Sequence, residues 1–304
     1  MSDYVIPVGN MSRAWLDTLQ LVHERGGRRT NVLTTVTDPL APEYPAVRAA
    51  IDRVLVPGKH KSGTIQTVDT VAATIFPHTL YAAPGMAWAP ELSPVDAARL
   101  DLAAADLYEV YSEMLPLLCT ADGNKRGTYF GRMVSWPGKE PGGVNQLADR
   151  VKYLRQVRRD GKRAHNLSDI AIGGEAEPCA NITSPEDAGS AADVSDVDDV
   201  GLQVYAATDR RQRGFPCLVH VDLTLLDGQL SMLAVYRHQY LITKAYGNLL
   251  GLARLLGYLA AQTGFAVGEL AVQATLADTQ EQHFGGRRGI QALIDSTLSS
   301  ALLK

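Results

Sequence analysis

The sequence predicts an α/β protein of the α+β type, a twisted sheet built around a long buried helix. Three observations carry this. Residues 245–263 read as a helix whose window 249–261 is apolar nearly all round, the mark of a helix packed inside a molecule. Just before it, two strand-like runs, 217–226 and 229–237, flank Asp227-Gly228, a dipeptide that two-residue hairpin turns favour. The 304 residues, 46% hydrophobic and 20% charged, have an ordinary globular composition and enough length to bury a core without staples. That length admits one large domain or two smaller ones.

From the start of the chain, residues 13–25 carry apolar side chains at helical spacing and stop at Gly26-Gly27. Residues 31–37 read as a strand, and 45–56 as a short helix closed by Pro57-Gly58. The β-branched stretch 64–76 is compatible with helix or strand. Pro94 opens a helix that runs to residue 118, with acids in its first turns. Another helix, 144–157, follows Gly142-Gly143. Residues 173–200 hold eight acids and no Lys or Arg, so they read as a mobile surface insertion. Strands follow at 201–209 and in the hairpin. Gly264 stops the apolar helix, 269–276 reads as a last strand, and 287–303 as a closing helix.

With 29 basic and 33 acidic side chains and a formal charge of −4, the chain has no electrostatic footprint for duplex nucleic acid or an anionic membrane. No apolar run approaches the roughly 18–20 residues a bilayer span needs. The amino-terminal residues lack the pattern of a secretory signal. Cys119, Cys179 and Cys217 are far apart, odd in number and without CxxC spacing, so neither a disulfide framework nor a metal site is expected. No dinucleotide-binding or P-loop pattern is present. A cytoplasmic protein is the expectation.

Three residues in the second half stand out. Cys217 follows Pro216 at the mouth of a strand; a cysteine there is most often a small buried hydrophobe. Arg237 closes the return strand, so the hairpin turns it toward Cys217, where a guanidinium favours the nucleophilic thiolate. Asn248 interrupts an otherwise apolar helix, where an amide usually serves only a neighbouring backbone group. His220 lies three residues after Cys217, but positions three apart on a strand face opposite ways, which argues against a Cys–His pair.

Together, the order Pro-Cys, hairpin, Arg237, then Asn248 at the head of a long apolar helix resembles the catalytic half of the thymidylate synthase family. The archaeal and nucleotide-hydroxymethylating branches are nearest in wording. Upstream, TYFGRM (128–133) resembles the family's Tyr-Gly strand, and the segment 142–164 its Asp-Gln-Leu and arginine-pair stretch. The resemblance covers roughly 128–164 and 201–280, while 1–127 match weakly. Because the matched segments flank the acidic insertion, they imply one domain over 1–304. With eight acids set apart in that insertion, the rest of the chain is net positive by four.

The resemblance implies a thymidylate synthase-like mixed sheet, a homodimer, and transfer of a one-carbon unit to C5 of a pyrimidine nucleoside monophosphate. Methylenetetrahydrofolate would be the donor. Cys217 would add to C6, Asn248 would read the N3/O4 edge, and Arg237 would hold the phosphate. Arg163 would reach the phosphate of a partner subunit, against competition from Arg158, Arg159, Arg210, Arg211 and Arg213. Gln146 and Phe130-Gly131 would line the pocket, with Tyr129 a further donor. Asp69 would stand where the family keeps its proton-relaying glutamate.

Several positions depart from the family's pattern. His238 replaces the serine after the phosphate arginine, and Tyr240 replaces an aspartate of the folate pocket. Asp278-Thr279-Gln280 replaces a His-x-Tyr pair that reads the sugar, which puts Asp278 and Gln280 at that position with altered hydrogen-bonding sense. The chain ends in DSTLSSALLK, where thymidylate synthases carry a closing tail. A divergent relative is implied.

Overall fold

The computed structural model describes residues 4–56, 65–84, 92–121, 124, 127–136, 143–161, 169–172 and 216–301. Among them are eight α-helices and one five-stranded sheet. Helix α1 (Met11–Glu24) is capped by the Asn10 side chain, and β1 (Arg28–Val36) follows it. Gly26 and Gly27, both at positive φ, turn the chain between the two. Helix α2 (Pro45–Val54) starts on its proline.

The ambiguous stretch resolves as helix α3 (Val68–Ile75), with Thr67 as its N-cap. Next come α4 (Pro94–Leu118), α5 (Tyr129–Val134) and α6 (Gln146–Asp160). The expected strand around 128–133 is therefore a helix. Its start is held by Thr128, whose hydroxyl accepts from Gly131 N at 3.0 Å, a capping signal that outweighs the segment's β-propensity. Cys119, buried at the end of α4, is disulfide-bonded. That corrects the expectation from cysteine spacing, since separation along a chain sets no limit on approach in space. The acidic stretch 173–200 and the expected strand 201–209 lie outside the described residues.

The sheet runs in the order β1–β5–β4–β3–β2, with β2 (Asp169–Ala171), β3 (Leu218–Leu226), β4 (Gln229–Tyr240) and β5 (Ala266–Asp278). Strands β4 and β5 are parallel and every other pair is antiparallel, so the sheet is mixed. Asp227 and Gly228 both take positive φ at the β3–β4 turn, as the right-handed strand twist requires. One face carries Val32, Leu270, Val272, Met232, Ala234 and Val221, all buried. On the other face Leu233, Val235, Ala271, Gln273 and Thr275 are half-buried to exposed. Near residues 237–239 and 275–277 burial switches from even to odd positions in both strands while their register holds.

Helix α7 (Tyr246–Thr263) crosses the core and ends at Gly264 in the left-handed region. Leu249, Leu252, Leu255, Leu256 and Leu259 are all buried, which explains the absence of a polar face. Gly247 and Gly251 let α3 lie directly on it. A Cβ at Gly247 would come within 2.6 Å of Val71 Cβ, and one at Gly251 within 2.7 Å of the Ala72 carbonyl. Helix α8 (Gly286–Ala301) closes the chain. Among the described residues, no helix is long and apolar enough to cross a membrane, and no three His, Cys, Asp or Glu gather to hold a metal.

Candidate functional site

A cavity of about 250 Å³ opens where the hairpin, α3, α5 and the head of α7 meet. Cys217 lies on its wall beside Pro216, at the entry to β3, half-buried and in no disulfide. The hairpin brings Arg237 alongside it. The Arg237 amide donates to the Cys217 carbonyl at 2.8 Å, and its Nη2 donates to the Pro216 carbonyl at 3.3 Å. Arg237 thus braces the strand entry that carries the thiol. His238 and Tyr240, one and three residues further along β4, line the cavity with ring centroids 4.3 Å apart.

The opposite wall comes from the first half of the chain. Val71 and Thr74 face in from α3, and Thr128, Tyr129 and Arg132 from the α5 region. Tyr129 Oη accepts from the Leu218 amide at 3.4 Å. Burial pushes its phenol well above the usual range, and the neighbouring Cys217 adds to the rise. Tyr236 is fully buried on β4, and burial, Tyr129 and Cys217 raise it likewise. Burial thus disfavours ionisation of both phenols. Arg132 is buried, with Nη1 donating to the Ile172 carbonyl at 3.1 Å.

Asn248 is buried in the first turn of α7 and lines the cavity. One turn earlier stands a residue the sequence reading passed over. Lys244 belongs to a π-helical turn, Leu241–Ala245, that feeds α7, and such widened turns recur at functional sites. Its ammonium donates to Gln66 Oε1 inside the cavity. Burial lowers its pKa, and nearby Cys217 pulls it back up. The sequence signal was a lone lysine within YLITKAYGN, between two buried apolar stretches.

Other anticipated residues lie elsewhere. Asp69 does not line the cavity; its carboxylate meets Arg48, and Arg254 at 3.3 Å, on the exposed side of α3. Partial burial works to raise its pKa, but Arg48 and then Arg254 outweigh this and hold it below the ordinary value. A carboxylate so engaged is a poor proton relay for a cavity it does not face. Gln146 is tied into the fold: its amide donates to the Ala171 and Arg132 carbonyls at 2.8 and 3.3 Å and accepts from Ala171 N at 2.9 Å.

Asp278 is buried against Arg28 at 2.9 Å, with His238 Nε2 3.9 Å away, so it reaches the cavity only through that imidazole. Gln280 accepts from Thr243 N at 3.0 Å and from Thr243 Oγ1 at 2.9 Å, which anchors the π-helical turn. Arg163 lies outside the described residues.

The charge of the site is one-sided. Arg132 and Lys244 line it, His238 adds an imidazole, and none of the described lining residues is acidic. A cavity lined by Arg132 and Lys244 favours an anionic ligand. Its amide, phenol and hydroxyl groups at Asn248, Asn124, Tyr129, Thr74 and Thr128 can orient a polar ring. The chain matches no protein-family model, and no curated protein matched it.

Proposed function

We propose that this chain acts on a pyrimidine nucleoside monophosphate in the manner of the thymidylate synthase family, activating C5 to receive a one-carbon unit, methyl or hydroxymethyl. The observation that carries this reading is the meeting of Cys217, Asn248 and the cations Arg132 and Lys244 around one cavity.

The Cys217 thiolate would add to C6 of the ring, forming an S–C6 bond while the C5–C6 π pair moves through C4 to O4. Asn248, which lines the cavity, would donate to the resulting enolate and accept from N3–H. Tyr129 and Lys244 supply further donors in a water-poor wall, where fixed donors stabilise developing charge most strongly. C5 then carries nucleophilic electron density. Taking up a proton from solvent and releasing the original one exchanges its hydrogen, and expulsion of the thiolate restores the ring.

Methylenetetrahydrofolate is the donor the resemblance implies. A pterin presents a donor-rich edge that a carboxylate suits; the described lining residues include none, and Tyr240 stands where the resemblance puts the family's aspartate. The half-buried sheet face around Leu233, Val235 and Gln273 is the surface a second copy would cover in a family-like homodimer.

Tritium release from 5-tritiated UMP, dUMP, CMP and dCMP, with and without methylenetetrahydrofolate, tests the reading. Release with at least one nucleotide, lost in Cys217→Ser, is the expected outcome; no release with any of the four from folded protein sinks it. The departures from the family's pattern at Tyr240, Asp278 and Gln280, and the outward placement of Asp69, favour one alternative, a nucleotide-binding protein that has lost catalysis. Wild type separates the two, because a pure binder takes up nucleotide by calorimetry yet releases no tritium.

A further inference from the structure

Helix α1 ends on a buried imidazole. His23 is 3% exposed, and both of its ring nitrogens meet the C-terminal part of the chain. On α8, Gln291 Nε2 donates to Asp295 Oδ1 at 2.8 Å, which turns Gln291 Oε1 toward His23 Nε2 at 3.1 Å. An amide oxygen only accepts, so Nε2 carries a hydrogen. A neutral ring then presents a lone pair at Nδ1. That atom faces Glu281 Oε1 at 3.5 Å. Both atoms are buried, and neither makes a hydrogen bond among the described residues.

The carboxylate is set in place. Glu281 opens the short 3-10 turn Glu281–His283 beyond β5. It lies over Gly27, where a Cβ would come within 2.7 Å of Oε1. Thr279 fixes the approach, donating from N and Oγ1 to the Gly27 carbonyl at 2.9 and 3.1 Å. Arg287 on α8 donates from Nη1 to the His23 carbonyl at 2.8 Å and stands 4.0 Å from Glu281 Oε1. Asp295 sits behind Gln291, His283 meets Gln282 Nε2 at 3.4 Å, and Arg28 on β1 is engaged with Asp278 at 2.9 Å. Glu281 is thus the acid set against Nδ1. Two acceptors facing each other repel, and one proton between them makes a charge-assisted hydrogen bond.

We propose that His23 and Glu281 form a pH-operated latch between α1 and the C-terminal segment. Uptake of one proton from solvent at Nδ1 turns the imidazole into an imidazolium that donates to Glu281 Oε1, while Nε2–H stays on Gln291. Release of that proton opens the contact. Because the protonated form gains the partner, the latch stabilises fully below the ~6.5 of an ordinary imidazole and is lost as pH rises. The same corner reaches the cavity. Gln280, the residue before Glu281, accepts from Thr243 at two atoms, and Trp15 Nε1 of α1 donates to the Leu241 carbonyl at 2.7 Å. The π-helical turn that leads to Asn248 is therefore tied to both of the elements the latch joins. The inference depends on neither the nucleotide nor the chemistry of Cys217.

Long-range 1H–15N NMR on the full chain reads the ring directly. At about pH 5.5 wild-type His23 is expected with both nitrogens protonated, and at about pH 9 as the neutral Nε2–H form. In Glu281→Gln the ring is expected to be neutral already at about pH 5.5, since the new amide can donate to the Nδ1 lone pair. Melting temperatures supply a second reading. The advantage of wild type over Glu281→Gln should shrink by about 2 °C or more between about pH 5.5 and about pH 8.5.

A neutral His23 in wild type at about pH 5.5, or an Nδ1–H tautomer at about pH 9, overturns the proposal. Both results need no variant and stand even if Glu281→Gln does not fold. A His23 that stays doubly protonated in Glu281→Gln overturns it too, as does a melting-temperature gap that is the same in mild acid and mild base.

Discussion

Helix α3 separates two charged regions built on opposite plans. On its outer side Asp69 meets Arg48 and Arg254, and Arg48 also reaches Glu43 and Asp52. Cation and anion alternate there, every carboxylate has a guanidinium, and solvent screens the whole cluster. On its inner side Val71 and Thr74 face a cavity that holds Arg132, Lys244 and His238 and, among the described residues, no acid. The outer cluster is electrostatically complete and fastens α2, α3 and α7 together. The described inner group is cationic and the outer one is balanced. The difference is what the proposed chemistry of the cavity, and a structural role for Asp69, would require.

The largest effect that bears on this contrast is at the thiol. Cys217→Ser is expected to reduce tritium release to background while leaving nucleotide affinity nearly unchanged by calorimetry, since the hydroxyl is a far weaker nucleophile in the same space. Asp69→Asn is expected to leave release intact; a matching loss there would move the chemistry to the outer side of α3.

Next in size is the wall between the two regions. At Gly251 a Cβ would press on the Ala72 carbonyl at 2.7 Å and on Ile75 Cβ at 2.9 Å, with backbone on one side that cannot swing away. Gly251→Ala is expected to cost about 1–3 kcal/mol in denaturant unfolding and, by displacing α3, to weaken nucleotide binding too. Stability kept within error would show that α3 yields freely, and the cavity would then lack a fixed wall.

The smallest effect belongs to the outer cluster. Asp69 is more than half exposed, so Asp69→Asn is expected to lower stability by no more than about 1 kcal/mol at pH 7. Its pKa in the folded protein lies below the ordinary 3.8, so its contribution is fully present above that value and fades as pH falls through the lower folded-state pKa. Melting curves of wild type and Asp69→Asn should therefore differ slightly at pH 7 and converge in acid. A gap that widens in acid would contradict the pairing.

The second half of the molecule was legible in the sequence because its signals are local. Asp227-Gly228 demands a hairpin, the hairpin aligns Cys217 with Arg237, and an all-apolar helix can only be buried, which takes Asn248 inside with it. The first half was harder to read. The stretch 64–76 has strand-like composition, and it is helical because Gly247 and Gly251, 180 residues away, leave room for it on α7. The segment at 128–133 looks like a strand until Thr128 is seen to cap it.

Lys244 was invisible for a related reason. A lysine between apolar runs reads as a solvated side chain unless the turn carrying it is known to be π-helical and pinned by Gln280 and Trp15. Gln280 itself was expected at the sugar and instead holds that turn. Position in a motif indicated which residues cluster, but not which of them face inward.

The central claim, that this cavity presents Cys217 to C6 of a pyrimidine nucleotide, is tested most directly by comparing wild type and Cys217→Ser for tritium release from 5-tritiated nucleotide at matched, saturating occupancy. Release by wild type alone is the predicted result. Equal release from both proteins, or none from a wild type shown to hold the nucleotide, would contradict it.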